Sequence, residues 1–183
     1  MVDRKKTREK IGYTAAAQNK NPAVWLWLAR GFHAAAEVLH DNQERIPGNS
    51  RPFALNAGYS LELLFKGLIA QKGLGIPSDA SGHDLCGLRA KAGVKLTKDQ
   101  LTTLQDFKEI VVWLGRYPGP NKEEAWDYYH DVLLQKNELR VSTIVEGKTV
   151  GAVRANPATF SNWENYKRIW DIGFGMVDVR FKT

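Results

Sequence analysis

A single cysteine, Cys86, in 183 residues leaves no internal disulfide and no motif built on paired thiols, zinc ribbons included. One thiol suits a reducing compartment, and Cys86 itself reads as a small core residue. Apolar runs are short as well: none approaches the ~18 residues of a membrane-spanning helix. The basic, polar first residues lack the apolar stretch of a secretory signal. These absences lead to the expectation of a cytoplasmic protein with no membrane partner. Also missing are a Gly-rich phosphate loop, a nucleophile elbow, His-Glu-x-x-His and zinc-ligand spacings, so no motif calls for a cofactor or a metal. There is no internal repeat and no low-complexity stretch. Acidic residues are the scarcer charge, 20 against 26 basic, for a net +6. The first ten residues set Arg4, Lys5, Lys6, Arg8 and Lys10 against Asp3 and Glu9. That imbalance permits a polyanionic partner, and it equally suits a solvated basic tail.

What is present is enough apolar material, 43% of the chain, for one well-buried core. Asn21-Pro22 opens a helix with a capping side chain followed by proline, and apolar residues carry it to about His40. Pro47, Gly48 and Pro52 mark the turn into a second helix that runs to about Lys72, where Gly73 and Gly75 stop it. Asp84 is placed to cap a short helix from Leu85 to Ala92. Thr97-Lys98-Asp99-Gln100 is a capping box ahead of Leu101, Leu104, Phe107, Val111 and Leu114 at helical spacing. A further helix runs from Asn121 to about Lys136. The period then changes: Val141, Thr143 and Val145 alternate with Arg140, Ser142 and Ile144, and Glu146-Gly147-Lys148 turns the chain into a second strand. Ser161-Asn162-Trp163-Glu164 reads as another capping box, behind which Phe160, Trp163, Trp170 and Phe174 form an aromatic stripe for packing. The expected fold is all-α, an up-and-down bundle of five or six helices with one appended β-hairpin. Residues 1–20 are the basic tail, 21–137 the bundle, 138–156 the hairpin and 157–183 a C-terminal helix packed on the bundle.

The second helix is apolar around nearly its whole circumference, yet Glu62 and Lys66 sit at its centre. An i, i+4 pair is worth only about 0.2–0.5 kcal/mol when exposed. Desolvating either charge alone costs several kcal/mol, so both must meet other polar groups at the core edge. His83 and Arg116 are the candidates.

Ser60-Leu61-Glu62-Leu63-Leu64-Phe65-Lys66-Gly67-Leu68, then Gly82-His83-Asp84-Leu85, then Arg116-Tyr117-Pro118 resemble, in order and spacing, the HEPN superfamily of small helical domains. The resemblance covers roughly Ala34 to Pro118. It implies a helical bundle that often forms a homodimer and acts on RNA, as a toxin, an anti-phage factor or a processing nuclease. By resemblance, Glu62, Lys66 and His83 line one polar site with Arg116 close by. If the chain is a ribonuclease, residue chemistry makes His83 the general acid or base, Lys66 and Arg116 the holders of the phosphate and of the developing charge, and Glu62 the group that orients Lys66. Tyr117 adds a hydrogen bond to a bound RNA or nucleotide. The sequence departs from the nuclease branch in one respect. That branch has an arginine followed four to six residues later by histidine, and no arginine here has a histidine at that spacing. The alternative is a HEPN-like scaffold that binds a nucleotide or a protein partner and cleaves nothing. A remote alternative is a di-metal carboxylate bundle, built from Glu37 with His40, Asp127 with His130, Glu62 and Glu109.

Overall fold

The computed structural model describes residues 3–46, 50–77, 80–145 and 148–182. The chain is mostly helical, with one two-stranded antiparallel hairpin. The basic tail carries two short helices, α1 (Arg4–Lys10) and α2 (Ala15–Lys20), capped by the side chains of Asp3 and Thr14. Asn21 caps α3 (Pro22–Asp41), with Pro22 in its first turn where the missing N–H costs nothing.

Helix α4 (Ser50–Gln71) is the central element. Leu61, Leu64, Phe65, Leu68 and Ile69 are all buried. Helix α3 runs antiparallel along it: Leu26 lies against Gly67 at one end, and His40 faces Phe53 at the other. On the far side come α5 (Leu85–Ala92), closed by Gly93 in the left-handed conformation, and α6 (Lys98–Glu109) behind its Thr97–Gln100 capping box. The last turns of α6 widen into a π-helix over Ile110–Leu114, closed by the Gly115 N–H donating to the Ile110 carbonyl at 2.9 Å. A second π-helix, Tyr128–Leu133, joins α7 (Glu123–Asp127) to α8 (Leu134–Lys136). Helix α9 (Trp163–Gly175) returns to α4, its Gly173 against Leu64.

The hairpin pairs β1 (Glu138–Val145) with β2 (Lys148–Ala155), register Leu139 to Arg154 and Val141 to Ala152. Its Glu146-Gly147 turn, the Pro47-Gly48 turn and part of the Ser/Pro loop before His83 lie outside the described residues. Two caps differ from the sequence reading. Asn162, not Ser161, caps α9, because its side chain is the one that accepts the Asn165 N–H at 2.9 Å. Asp84 occupies the N-cap position of α5 without a capping bond, and its carboxylate instead faces Lys108 at 3.5 Å. Cys86 is half-buried and free, at the edge of the core.

Aromatic packing joins α3 to α9. The His33 ring stacks on Trp170 at 4.3 Å and the His40 ring on Trp163 at 5.1 Å. Beneath them the Ser60 hydroxyl donates to the Ala57 carbonyl at 2.7 Å, so the Tyr166 hydroxyl must donate to Ser60, also at 2.7 Å. The remaining contact, His33 Nδ1 to the Tyr166 oxygen at 2.6 Å, therefore runs from Nδ1–H. Donor accounting along this buried chain fixes the His33 tautomer.

Candidate functional site

Glu62 lies on the fourth turn of α4 with its side chain 5% exposed. Both carboxylate oxygens are engaged: Oε1 accepts from Lys66 Nζ at 2.7 Å and Oε2 faces His83 Nδ1 at 3.0 Å. The i, i+4 spacing supplies the first contact from within the helix. The second comes from the short 3-10 turn Ala80–His83, which brings the backbone over the pair. Gly82 lets the turn pack closely there: a Cβ would sit a tight 3.1 Å from the Pro77 carbonyl and in ordinary contact, 4.0 Å, with Lys66 Nζ. His83 is the exposed member, at 56%, while the Lys66 side chain is 10% exposed. The carboxylate thus holds a sheltered ammonium on one side and an imidazole with an accessible ring edge on the other.

Lys66 also lines a cleft of about 700 Å³ bounded by α2, α3, the end of α4 and the Gly73–Pro77 segment. Its ammonium lies 5.5 Å from the Trp25 ring centroid. The Trp25 indole N–H donates to the Asn19 carbonyl at 2.9 Å, which ties α2 to α3 and places Lys20 on the same cleft wall. The cleft therefore combines two lysines and an aromatic face, and the Glu62 carboxylate fixes the inner lysine.

Arg116 and Tyr117 lie elsewhere. The Arg116 guanidinium donates to the Val112 carbonyl at 2.8 Å and sits over the Tyr117 ring at 5.3 Å, both exposed at the surface. The preceding Gly115 packs on Leu55, two turns of α4 before Glu62 and so on the order of 10 Å away along the helix. Glu62, Lys66 and His83 form one group and Arg116 with Tyr117 another. Nor does the di-metal set converge. Among the described residues no three His, Cys, Asp or Glu side chains gather to hold a metal. Glu109 instead accepts the Trp113 indole N–H, and His130 packs at a tilt against Trp126.

Lys20 and Trp25 are the cleft residues that reading the sequence missed. Trp25 follows directly on the Asn21-Pro22 helix start, so its place on α3 was legible. Its meeting with Lys66 depends on how α3 crosses α4, which leaves no periodic trace. No helix among the described residues is long and apolar enough to cross a membrane. No protein-family model, curated protein or solved structure matches the chain.

Proposed function

We propose that the chain is a HEPN-like RNA-binding protein that grips the phosphate backbone of single-stranded RNA in the cleft beside Lys66. The observation that carries this reading is the Lys66 ammonium, held by Glu62 at a cleft wall shared with Lys20 and the Trp25 ring. Paired cations with an aromatic face suit a strand that offers phosphates and unstacked bases. The net charge of +6 and the basic α1 add the non-specific attraction that brings a polyanion to the surface. The settings that fit are those the resemblance implies: RNA processing, toxin action or anti-phage defence. A protein or nucleotide scaffold remains the alternative outcome.

One observation favours cleavage as a second reading. A histidine whose Nδ1 faces a buried carboxylate, with its other ring edge accessible, is arranged as a general base. His83 would take the proton of an RNA 2′-hydroxyl as that oxygen attacks the adjacent phosphorus. The 5′-oxygen would leave with a proton from water, giving a 2′,3′-cyclic phosphate. Binding without cleavage is the stronger reading, because the Arg116 guanidinium is engaged with the Val112 carbonyl and stands outside the Glu62–Lys66–His83 group. The test is an RNA-cleavage assay in EDTA beside a binding titration of the same labelled strand. Binding with an intact strand is the expected result. Metal-independent cleavage lost in His83→Ala would establish the second reading, and no binding at low salt would reject both.

A further inference from the structure

A second cavity, of about 370 Å³, opens near the N-terminal end of α4, bounded by Arg51, Asp106, Trp126, Tyr129, His130 and Ser161 together with apolar side chains. Ala54, also on its wall, is twelve residues before Lys66, so ~18 Å of helix separates it from the cleft described above. Both π-helical segments meet here: Ile110 and Leu114 from one, Tyr129 and His130 from the other. A π-helix gives up ideal hydrogen bonding to re-aim side chains, and such segments occur frequently at functional sites.

The floor is a carboxylate. Asp106 is 4% exposed, and its polar neighbours are the hydroxyl and backbone N–H of Ser161. No salt bridge reaches it among the described residues, and the nearby Glu109 carboxylate is engaged with Trp113. Burial pushes the Asp106 carboxyl above the usual carboxylate range. The Tyr129 hydroxyl, itself raised by burial and by Asp106, has no hydrogen-bond partner among the described residues. Ser161 supplies one O–H and one N–H donor, and a buried carboxylate with lone pairs to spare and no cation beside it gains from a ligand that brings further N–H groups. The walls carry aromatic rings, with Trp126 and His130 4.3 Å apart between centroids. The rim carries an exposed guanidinium, Arg51. Reading outward, the cavity offers an acceptor pair, flat aromatic walls and a cation.

We propose that this cavity binds the guanine base of a nucleotide, its N1–H and 2-amino group donating to Asp106, its ring against Trp126 and His130, and its phosphate facing Arg51. At the same two positions adenine presents the N1 lone pair and a C2–H, and so offers Asp106 no donor. A free arginine-like cation would satisfy Asp106 but be repelled by Arg51. The proposal stands apart from the RNA-binding cleft and does not rest on it.

The test is a titration of the full chain with GMP, AMP, IMP and guanosine, followed by calorimetry and by tryptophan fluorescence, since Trp126 forms a wall. GMP should bind about tenfold more tightly than AMP, the discrimination expected of a two-donor base contact. IMP, which lacks the 2-amino donor, should also bind more weakly than GMP. Asp106→Asn should abolish the preference for GMP over AMP, and Arg51→Ala should bring GMP down to the affinity of guanosine. Comparing UpGpU with UpApU shows whether guanine is taken from RNA as well as from free nucleotide. Equal binding of GMP, AMP and IMP to the unmodified chain, or tighter binding of benzamidine than of GMP, would overturn the proposal. So would an Asp106→Asn variant that keeps the preference.

Discussion

Glu62 commits both oxygens to neighbours, so its removal is expected to be expensive for a reason that lies in Lys66. The Glu62→Ala change leaves a 10% exposed ammonium with no carboxylate, and losing one partner of a buried pair costs about 3 kcal/mol. Replacing both charges at once, as Glu62→Gln with Lys66→Met, should recover most of that loss, and paired urea titrations read the difference. Asp106 is expected to behave the opposite way. Its carboxyl is held above the ordinary ~3.9 by burial, so between those two values the native state binds more protons than the unfolded chain. Stability therefore falls as pH rises through that window, and at neutral pH Asp106 is a net cost. Asp106→Asn should raise the melting temperature by a few degrees at pH 7, with the advantage vanishing near pH 4. His33 carries the reverse sign. Burial lowers its pKa below 6.5, so its contribution is complete above that value and is lost as pH falls through the folded value. The urea midpoint should drop between pH 7 and pH 5, and the drop should shrink in His33→Gln, which keeps a donor for Tyr166.

At the scale of elements, the close approach of α4 to the α6 π-segment depends on a missing side chain. A Cβ on Gly58 would stand 2.5 Å from Val111 Cγ2, so Gly58→Ala must push the two helices apart. Overpacking of this kind costs about 1–3 kcal/mol, which thermal melting would register as a drop of several degrees. An unchanged melting temperature would mean that the contact is loose. Features encoded by residues close in sequence were legible before the fold was known. The Asn21-Pro22 start, the Thr97–Gln100 capping box, the Leu85–Ala92 helix and the alternation in Arg140–Val145 each rest on such residues. So does the Glu62–Lys66 pair. The π-helices were not legible, because five apolar residues from Ile110 to Leu114 satisfy helical spacing whether the closing bond spans four residues or five. Nor was the cap of α9, where two adjacent residues, Ser161 and Asn162, both have capping side chains. The site followed the same rule. The neighbours of Lys66 along α4 were readable, whereas Lys20 and Trp25 across the cleft, and the separation of Arg116 from His83, are set by how helices cross.

For the whole molecule, the outward face of α3 carries no charge along Ala23, Trp27, Gly31, Ala34 and Val38, all exposed. Trp27 is 66% exposed and Val38 61%, and a Cβ on Gly31 would meet open space. A bulky side chain and a gap one turn apart on one helix form a self-complementary surface. Two copies related by a twofold axis can set each Trp27 over the other's Gly31. A homodimer through this face is therefore expected, with light scattering giving twice the chain mass at tens of micromolar and Trp27→Glu giving a monomer. A monomeric wild type would exclude it. RNA in the Lys66 cleft is the central claim, and its most direct measurement is the affinity for labelled single-stranded RNA over a range of salt concentrations. The wild type should weaken steeply with salt, and Lys20→Ala should bind more weakly with a log–log salt slope shallower by about one, as the loss of one phosphate contact requires. An affinity and a slope indistinguishable from wild type in Lys20→Ala and in the Glu62→Gln, Lys66→Met pair would contradict it.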